Sequence, residues 1–344
     1  MEEERLCLSN KLKGIRIRTF DDIRVKILKI YNSKVSVAKS VRKKGLVKYL
    51  IRIERIHDYL MNDFYRNIEL LPKYDELHQF YKDLIAMSSM GNRYSDVIGK
   101  IIGYKSVIRK LTREYSERIR LSFDVPEARK LSREYVGRVL SVFRRLRKDL
   151  ECLKEVVNEL RKLPCIIMSE PKIVVAGMPQ VGKSTFVSRI SSAKPEISPF
   201  PFTTKEIIVG HLEVNYRRIQ VIDTPGILDR PLNELNPIER KALVALKNLP
   251  DSIIFIVDPY EGSYYSLDRQ ITLLRNLLTT FNEWKAKMLV AINKIDIVGK
   301  KRLELVAKAV KSVFKGEVYY MSALKGVGVK EVLDAAIRLA EGYP

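Results

Sequence analysis

Residues 177–184 have the composition and spacing of a loop that binds nucleotide phosphates. Gly177 and Gly182 are separated by four residues, and Lys183 and Ser184 follow directly. The segment lies between an apolar stretch and a helical one. In that context glycines let backbone N–H groups curl around the α and β phosphates at a helix N-terminus. We expect Lys183 to reach the β and γ phosphates and the Ser184 hydroxyl to bind Mg²⁺. The alternative is a glycine-rich strand–helix turn without a ligand.

The neighbouring residues of this loop complete the predicted phosphate site. Thr185 adds a hydroxyl that can contact the α phosphate. The predicted nucleotide contacts of the loop are Gly177, Met178, Pro179, Gln180, Val181, Gly182, Lys183, Ser184 and Thr185. A phosphate loop alone does not identify the nucleotide, so the motifs that follow it decide the base and the chemistry.

Two later segments have residues that could respond to a γ phosphate. Thr203 and Thr204 lie in a proline-containing loop, 19 and 20 residues beyond Ser184. A threonine hydroxyl there could complete the Mg²⁺ shell when the γ phosphate is present. We favour Thr204, with Thr203 as the alternative and a simple strand cap as the third reading. Asp223 could hold Mg²⁺ through water, and the Gly226 N–H could bond the γ phosphate and sense its loss.

These residues define the predicted chemistry. The predicted catalytic residues are Lys183, Thr204 and Gly226, and the predicted metal ligands are Ser184, Thr204 and Asp223. Many phosphate-hydrolysing switches carry a glutamine after such an Asp-Thr-Pro-Gly turn to orient water, but this chain has Ile227. The water must then be positioned by the switch backbone, another side chain, an ion or a binding partner. Ile227 itself could simply pack under the turn.

A separate motif has the chemistry of a guanine reader. Asp296 can accept hydrogen bonds from guanine N1–H and the 2-amino group, two donors that adenine lacks. Asn293 could contact the purine edge or brace the phosphate loop, and the Lys294 stem could cover the base. The segment Ser322, Ala323 and Leu324 could offer a backbone N–H to guanine O6. Four motifs in this order predict binding of GTP and GDP with Mg²⁺.

Strands and helices alternate in the second half of the chain, as they must to bring these motifs together. We predict strands over 172–177, 205–214, 217–222, 252–257, 288–292 and 317–321. We predict helices over 183–192, 237–247, 266–280, 302–314 and 329–341. This alternation indicates an α/β fold with a mostly parallel six-stranded sheet. Only Asn215 and Tyr216 separate two strands, which makes that pair a hairpin and one strand antiparallel.

The first half of the chain is expected to be all-α. Helices are predicted over 21–43, 46–68, 75–88, 94–121 and 126–163, and the last of these would be roughly 57 Å long at 1.5 Å per residue. Leucines, valines and a phenylalanine repeat at steps of four and three along it, which predicts one buried stripe. Basic residues lie mostly off that stripe, and they form either a polyanion-binding face or an ordinary solvated surface.

Composition limits the classes of partner. The 344 residues carry a net charge of +22 with 46% hydrophobic residues, which favours a folded chain with a polyanionic partner. No apolar run approaches the ~18 residues of a membrane span, and no secretory signal is evident. Three irregularly spaced cysteines suggest neither a disulfide framework nor a zinc site. We therefore expect a cytoplasmic monomer without integral membrane association.

The motifs together resemble those of the Obg-like translation-factor GTPases. The phrases at 202–213 and 223–239, and the segment at 78–87, are similar to the nucleolar GTP-binding protein (Nog) family, and the end of the chain at Pro344 suggests its archaeal type. The resemblance implies a helical bundle domain over 1–165 and a Ras-like P-loop GTPase domain over 166–344. It also implies binding to large-subunit rRNA and pre-ribosomal particles, and slow hydrolysis stimulated by such a particle. Gln180 stands where many relatives have asparagine, which puts potassium activation in doubt.

Three functional hypotheses remain at this point. The first is a GTPase switch of large-subunit assembly, in which GTP orders residues around 195–210 and 226–240. The second is a GTP-regulated peripheral membrane protein. The third is a nucleotide-regulated protein-interaction module with little turnover, and a protein activator is left open.

Overall fold

The computed structural model describes residues 7–38, 43–214, 216–229 and 234–342. Within them the contacts group into two compact units. The sheet unit contains residues 7–11, 78–87 and 159–342, and the helical unit contains residues 12–77 and 88–158, as far as they are described. Asn215 and parts of the segments 21–43 and 226–240 lie outside the described residues.

The two units do not follow a single cut of the chain. Residues 78–87, which the resemblance places in the helical domain, make their contacts within the sheet unit. The predicted boundary between residues 165 and 166 refers to independently folding domains, and it stays a prediction.

The sheet unit is built on one mixed sheet, which confirms the predicted fold class. Its strands are β1 (Lys172–Ala176), β2 (Glu196–Pro199), β3 (Glu206–Val214), β4 (Arg217–Asp223), β5 (Ser252–Val257), β6 (Met288–Ile292) and β7 (Val318–Tyr320). Their order across the sheet is β2-β3-β4-β1-β5-β6-β7. Every residue of β1, β5 and β6 is buried, as expected for central strands covered on both faces.

The predicted number of six strands is wrong, because β2 adds a seventh. This strand pairs antiparallel with β3, with Ile197 opposite Ile208. It is short, lies at the edge of the sheet and ends in Pro199. Proline is tolerated at sheet edges, so a proline-containing segment that looked like a loop can still form a strand.

The hairpin prediction is confirmed. Strand β3 runs antiparallel to β4, with Leu212 opposite Ile219. The pairs β4–β1, β1–β5, β5–β6 and β6–β7 are parallel, so β3 alone runs against the other six described strands.

Six α-helices among the described residues belong wholly to the sheet unit. They are α5 (Gln79–Met87), α9 (Lys183–Ile190), α10 (Pro237–Leu246), α11 (Leu267–Thr280), α12 (Lys300–Val313) and α13 (Val329–Ala340). Helix α13 contacts β1, β5, β6 and β7, whereas α9 contacts β3 and β4. Helix α5 packs against α10, which explains why residues 78–87 belong to this unit.

The remaining described α-helices are α1 (Leu8–Lys13), α2 (Phe20–Asn32), α3 (Lys44–Tyr59), α4 (Arg66–Glu69), α6 (Tyr94–Leu121), α7 (Val125–Arg145) and α8 (Arg147–Arg161). Helix α3 packs against α6 and α7 in the helical unit. The predicted helix 94–121 is confirmed, and the predicted stripe from Val139 to Leu160 is buried. No helix in the described ranges has both the length and the apolar composition to cross a membrane.

The prediction of one continuous helix over 126–163 is wrong, because Leu146 separates α7 from α8. Leu146 has φ −92° and ψ 2°, and its N–H bonds the Phe143 carbonyl over 3.1 Å. This tighter turn contains no proline or glycine, so the sequence gives no local signal for the break. The buried stripe continues through it, since Leu146 and Leu150 are both buried.

The cysteines also depart from expectation, because Cys7 and Cys165 form a disulfide. Their Cα atoms lie 5.3 Å apart although 158 positions separate them in sequence. Both belong to the sheet unit, and the whole helical unit lies between them along the chain. Cys152 is free. Cysteine spacing could not reveal this pair, because the pairing depends on where a distant segment returns to the same unit.

The disulfide gives a testable expectation for stability. In the oxidised protein, denaturation and alkylation without reductant should label Cys152 alone. Cys165→Ser should lower the free energy of unfolding by up to about 5 kcal/mol, because the bond closes a long loop in the unfolded chain. Thermal or denaturant unfolding measures the loss, with Cys152→Ser as the matched control. Labelling of all three cysteines in air-oxidised protein would contradict the pairing.

Candidate nucleotide-binding site

Four of the predicted site segments lie at one edge of the sheet. Gly177 follows β1, Asp223 ends β4, Asn293 follows β6 and Ser322 lies two residues beyond β7. These four strands run parallel, so their carboxyl ends meet at the same edge. This edge is the usual ligand position in open α/β sheets.

The loop after β1 requires glycine at two positions. Gly177 has φ 138°, and a Cβ there would lie 2.5 Å from the Ile256 carbonyl oxygen. Gly182 has φ 102°, and a Cβ there would overlap the Asn293 side-chain amide. Gln180 also adopts a left-handed φ of 65°. The loop therefore curls tightly between β1 and α9.

The other predicted residues of the loop differ in exposure. Met178 and Val181 are buried, Pro179 is half-buried, and Gln180, Ser184 and Thr185 are exposed. The hydroxyl-bearing residues Ser184 and Thr185 are in the first turn of α9, beside the loop. Hydroxyls and backbone donors thus share this end of the helix.

Lys183 is held inside the loop. Its side chain is buried, and Nζ donates to the carbonyl oxygens of Gly177 over 2.9 Å and Met178 over 3.0 Å. Burial lowers the pKa of this ammonium, while the negative charges of Asp223 and Asp229 act in the opposite direction. A buried cation in this loop is suited to an anionic ligand.

Asp223 and Ser184 form a polar pair next to Lys183. The Ser184 Oγ donates to Asp223 Oδ2 over 3.1 Å. Asp223 is fully buried, and burial raises the pKa of its carboxyl while Lys183 lowers it. The second carboxylate oxygen, Oδ1, and the buried Thr224 hydroxyl have no hydrogen-bond partner among the described residues.

These oxygen atoms fit a divalent cation. Mg²⁺ prefers carboxylate, hydroxyl, water and phosphate oxygens, and it commonly takes one or two protein ligands. The unpaired Asp223 Oδ1 beside the Ser184 hydroxyl is such a donor set. Over the described residues no group of three histidine, cysteine or acidic side chains could hold a metal by itself. The site fits an ion shared with a phosphate ligand better than an all-protein metal cage.

The two candidate threonines have different surroundings. The Thr203 hydroxyl donates to the Phe200 carbonyl over 2.9 Å and accepts from the Lys205 N–H over 3.1 Å. Thr204 is exposed. In the described part of the chain no hydrogen bond joins Thr204 to Ser184 or Asp223, so the structure does not bring this predicted ligand into the Ser184–Asp223 pair.

The turn after β4 is closed by its own backbone and one carboxylate. The Gly226 N–H donates to Asp229 Oδ2 over 2.7 Å, and Gly226 has φ 82°. The Ile227 N–H bonds the Thr224 carbonyl over 3.1 Å, and the Ile227 side chain is buried. Ile227 therefore packs under the turn, as the second interpretation of this residue predicted.

Asn293 connects the phosphate loop to the segment after β7. Its Nδ2 donates to the Val181 carbonyl over 2.8 Å, and its Oδ1 accepts from the Ala323 N–H over 2.8 Å. The residue is buried. Of the two uses left open by the sequence, the structure shows the bracing one.

The predicted base-reading residues lie beside this connection. Asp296 is exposed, and a hydrogen bond from Ser322 is the main cause that lowers the pKa of its carboxyl. The Lys294 Nζ lies 2.6 Å from Asp258 Oδ2. Ala323 is buried and Leu324 is exposed. The structure thus groups all six predicted base-side residues at one end of the site.

Several residues that support the site were not predicted from the sequence. Arg189 donates from Nε to the Ala323 carbonyl over 2.5 Å and also bonds the Leu324 carbonyl. Asp258 holds Lys294, and Asp229 holds Gly226. Asp258 could have been found, because it directly follows β5 at the same sheet edge. Arg189 and Asp229 carry no recognisable local pattern.

Family comparisons agree with this architecture. Residues 29–166 match the family described as the NOG1 N-terminal helical domain. Residues 172–294 match the family described as 50S ribosome-binding GTPase. The two matches lie in the order that the helical and sheet-forming halves of the chain require.

Individual relatives extend over most of the chain. Nucleolar GTP-binding protein 1 of Encephalitozoon cuniculi is 35% identical over 270 residues, covering 78% of this chain and 50% of the relative. An uncharacterised protein of Methanocaldococcus jannaschii is 35% identical over 253 residues, covering 74% of this chain and 70% of that protein. The crystal structure of a nucleolar GTP-binding protein 1 from Plasmodium falciparum is 29% identical, with a TM-score of 0.45, over 52% of this chain and 91% of that one.

The chain spans half the length of the Encephalitozoon protein. Its helical and GTPase family matches nevertheless cover the same two regions that the motifs and the fold define. The chain belongs to the family of nucleolar GTP-binding proteins, as its motifs indicated, with a helical N-terminal region followed by a Ras-like P-loop GTPase domain.

Proposed function

We propose that this chain binds GTP and Mg²⁺ at the sheet edge and hydrolyses GTP as a switch in the assembly of the large ribosomal subunit. The observation that carries the proposal is the buried Lys183 beside the Ser184–Asp223 pair. A cation, a hydroxyl and an unpaired carboxylate oxygen at a helix N-terminus suit a metal-bound polyphosphate.

The phosphate chemistry needs mainly positioning and charge neutralisation. Lys183 binds the β and γ phosphates, and the loop N–H groups bind the α and β phosphates. Ser184, Thr204 and Asp223 would hold Mg²⁺, which neutralises developing charge on the phosphate oxygens when bound. Thr204 is preferred to Thr203 because the Thr203 hydroxyl already donates and accepts within its loop.

Base selection follows from Asp296 and the segment after β7. The Ser322 hydroxyl orients one side of the Asp296 carboxylate, which leaves lone pairs for guanine N1–H and the 2-amino group. The backbone of Ser322, Ala323 and Leu324 supplies a donor to guanine O6. Asn293 keeps this segment at a fixed distance from the phosphate loop.

Intrinsic hydrolysis is expected to be slow. Ile227 is buried and has no group that hydrogen-bonds water, so the side chain that orients water in many switches is absent at this position. A ribosomal particle is the proposed source of the missing positioning. A module that binds nucleotide without turnover is the competing reading, and single-turnover phosphate release with and without ribosomal subunits separates the two.

The proposed ribosomal partner rests on the relatives and on the charge of the helical unit. The similar proteins are named nucleolar, and one matched family is named for binding the 50S particle. Exposed cations of the helical unit that have no ion pair among the described residues include Arg109, Lys110, Arg138, Arg144, Arg145 and Lys148. Unpaired cations favour a phosphate backbone as the partner.

An anionic membrane is the second candidate, because the turn between α6 and α7 exposes apolar side chains. Leu121 is 81% exposed and Phe123 is 97% exposed. A lipid surface could accept both, whereas an unpaired RNA base could stack on Phe123. RNA is favoured because the exposed cations extend along α6, α7 and α8, far beyond this turn.

Replacement of the loop lysine tests the phosphate site. Lys183→Ala should weaken GTP binding about 100-fold, because a buried charged donor to the phosphates is lost. Titration with a fluorescent GTP analogue measures the affinity. The control is Lys308→Ala, which removes an exposed lysine of the same unit. Unchanged affinity in folded Lys183→Ala protein would refute the assignment.

Replacement of the base reader tests the identity of the nucleotide. Asp296→Asn should reverse the preference from GTP toward xanthosine triphosphate, since the xanthine 2-carbonyl needs a donor where guanine offers one. An unsatisfied polar contact can discriminate up to ~10⁴-fold. Competition binding measures the ratio, with Glu304→Gln as an exposed control on α12. Retained GTP selectivity would count against the reader role of Asp296.

A charge deletion on α7 tests the RNA partner. Arg138→Ala with Arg145→Ala removes two cations seven positions apart on one helix face. Binding to large-subunit rRNA should weaken about 10-fold, and the slope of log K against log salt should fall by roughly one to two. Lys308→Ala with Lys311→Ala is the matched control. Pelleting with anionic vesicles, without RNA affinity, would favour the membrane candidate instead.

A further inference from the structure

The turn after β4 contains a buried carboxylate bound to the amide that the proposed function assigns to the γ phosphate. Asp229 is 8% exposed, and its Oδ2 accepts the Gly226 N–H over 2.7 Å. No lysine or arginine pairs with Asp229 among the described residues. Within the described residues the carboxylate is therefore bound by a backbone donor and has no cation as an ion-pair partner.

We infer that Asp229 sets the relative affinity of the site for GTP and GDP. Its carboxylate occupies the Gly226 N–H that a γ phosphate would use, so GTP has to displace it. GDP ends at the β phosphate and leaves the contact in place. Asp229 thereby disfavours the GTP state, and the inference rests on the proposed function of the site.

The geometry makes the two acceptors compete. An N–H donor forms one good linear hydrogen bond, at 2.7 to 3.2 Å, and a second anionic acceptor can share it only with poor geometry. Gly226 has a left-handed φ of 82°, and its neighbouring side chain is Lys205, whose Cδ would lie 2.6 Å from a Cβ on this glycine. The Lys205 side chain thus packs against the Gly226 Cα.

Electrostatic repulsion also disfavours a γ phosphate at the Gly226 amide. Burial is the largest cause of the pKa shifts of Lys183 and Asp223, lowering the first and raising the second. The charge of Asp229 acts on both and raises both pKa values. Asp229 therefore lies within effective range of the cation that binds the β and γ phosphates. A γ phosphate near Lys183 would be repelled by Asp229 while that carboxylate stays bound to Gly226.

Displacement of Asp229 would affect the helix that follows the turn. Lys205, which packs against Gly226, lies 3.2 Å from the buried Glu239 carboxylate. Glu239 and Asn236 form the capping box at the start of α10. The turn, Lys205 and the first turn of α10 are thus in contact, so a change at the Gly226 amide can reach α10 through contiguous groups.

A merely structural role for Asp229 has a different signature. If the carboxylate only closed the turn, its loss would loosen the site and weaken GDP and GTP together. A gate would change the ratio of the two affinities instead. The ratio of dissociation constants therefore distinguishes the two roles.

The test measures binding of GDP and of a non-hydrolysable GTP analogue, with Mg²⁺, to the full chain. Asp229→Ala should tighten binding of the GTP analogue about 10-fold relative to GDP, because a charged acceptor no longer competes. Asp229→Asn keeps an acceptor without the charge and should give a smaller shift, roughly threefold. Asp229→Glu restores the charge and should return the ratio toward that of the unmodified chain.

Controls keep the outcomes separate. Glu304→Ala removes an exposed carboxylate of the same unit and should leave the ratio unchanged. An unchanged ratio in both Asp229→Ala and Asp229→Asn, or equal weakening of both nucleotides, overturns the inference while GTP binding by the unmodified chain upholds the proposed function. An unmodified chain that binds neither nucleotide overturns the proposed function and this inference with it.

Discussion

One buried amide fixes the relative position of the two halves of the site. Asn293 donates to the Val181 carbonyl in the phosphate loop and accepts from the Ala323 N–H beyond β7, both over 2.8 Å. A side-chain amide can do both at once, whereas an aspartate would place a negative oxygen against the Val181 carbonyl. The same amide lies where a Cβ on Gly182 would fall, so the glycine and the asparagine constrain each other. Arg189 strengthens the connection by binding two carbonyls of the segment after β7 from the helix that the phosphate loop begins.

Charges buried around this frame explain why the site suits a polyphosphate. Lys183, Asp223 and Asp229 are all at least nine-tenths buried, and an unpaired charge in such a place is costly. Lys183 is satisfied by two carbonyls, and Asp223 by one hydroxyl, yet Asp223 Oδ1 and the Thr224 hydroxyl have no partner among the described residues. A metal-bound phosphate would supply both a cation for the carboxylate and anions for the lysine. The polar groups are therefore arranged for a ligand rather than for the stability of the unliganded fold.

Much of this arrangement could be predicted from the sequence, because it depends on local patterns. The glycines, Lys183 and Ser184 follow a strand and begin a helix, and Asn293 follows another strand, so topology alone brings them to one edge. Features that depend on distant contacts could not be predicted. Strand β2 is defined by its pairing with β3, which no local pattern predicts. The disulfide depends on the return of residue 165 to the segment that contains Cys7, far away in the sequence. The helix break at Leu146 contains no proline or glycine from which it could have been predicted. The sequence of helix α5 resembles that of the neighbouring helices in the first half of the chain, but α5 packs against α10 in the sheet unit.

The turn after Asp223 shows how one sequence feature acquires a different meaning in the structure. Ile227 stands where a water-orienting glutamine is often found, and its side chain is buried beneath the turn. A glutamine at this position would have to bury an amide without an evident partner or swing out and remove an apolar contact, and both cost stability. The buried apolar side chain packs under the turn in which the Gly226 N–H donates to the Asp229 carboxylate. Ile227 thus stabilises the turn by apolar packing, while the polar contact of the turn is made by the Gly226 amide and the Asp229 carboxylate.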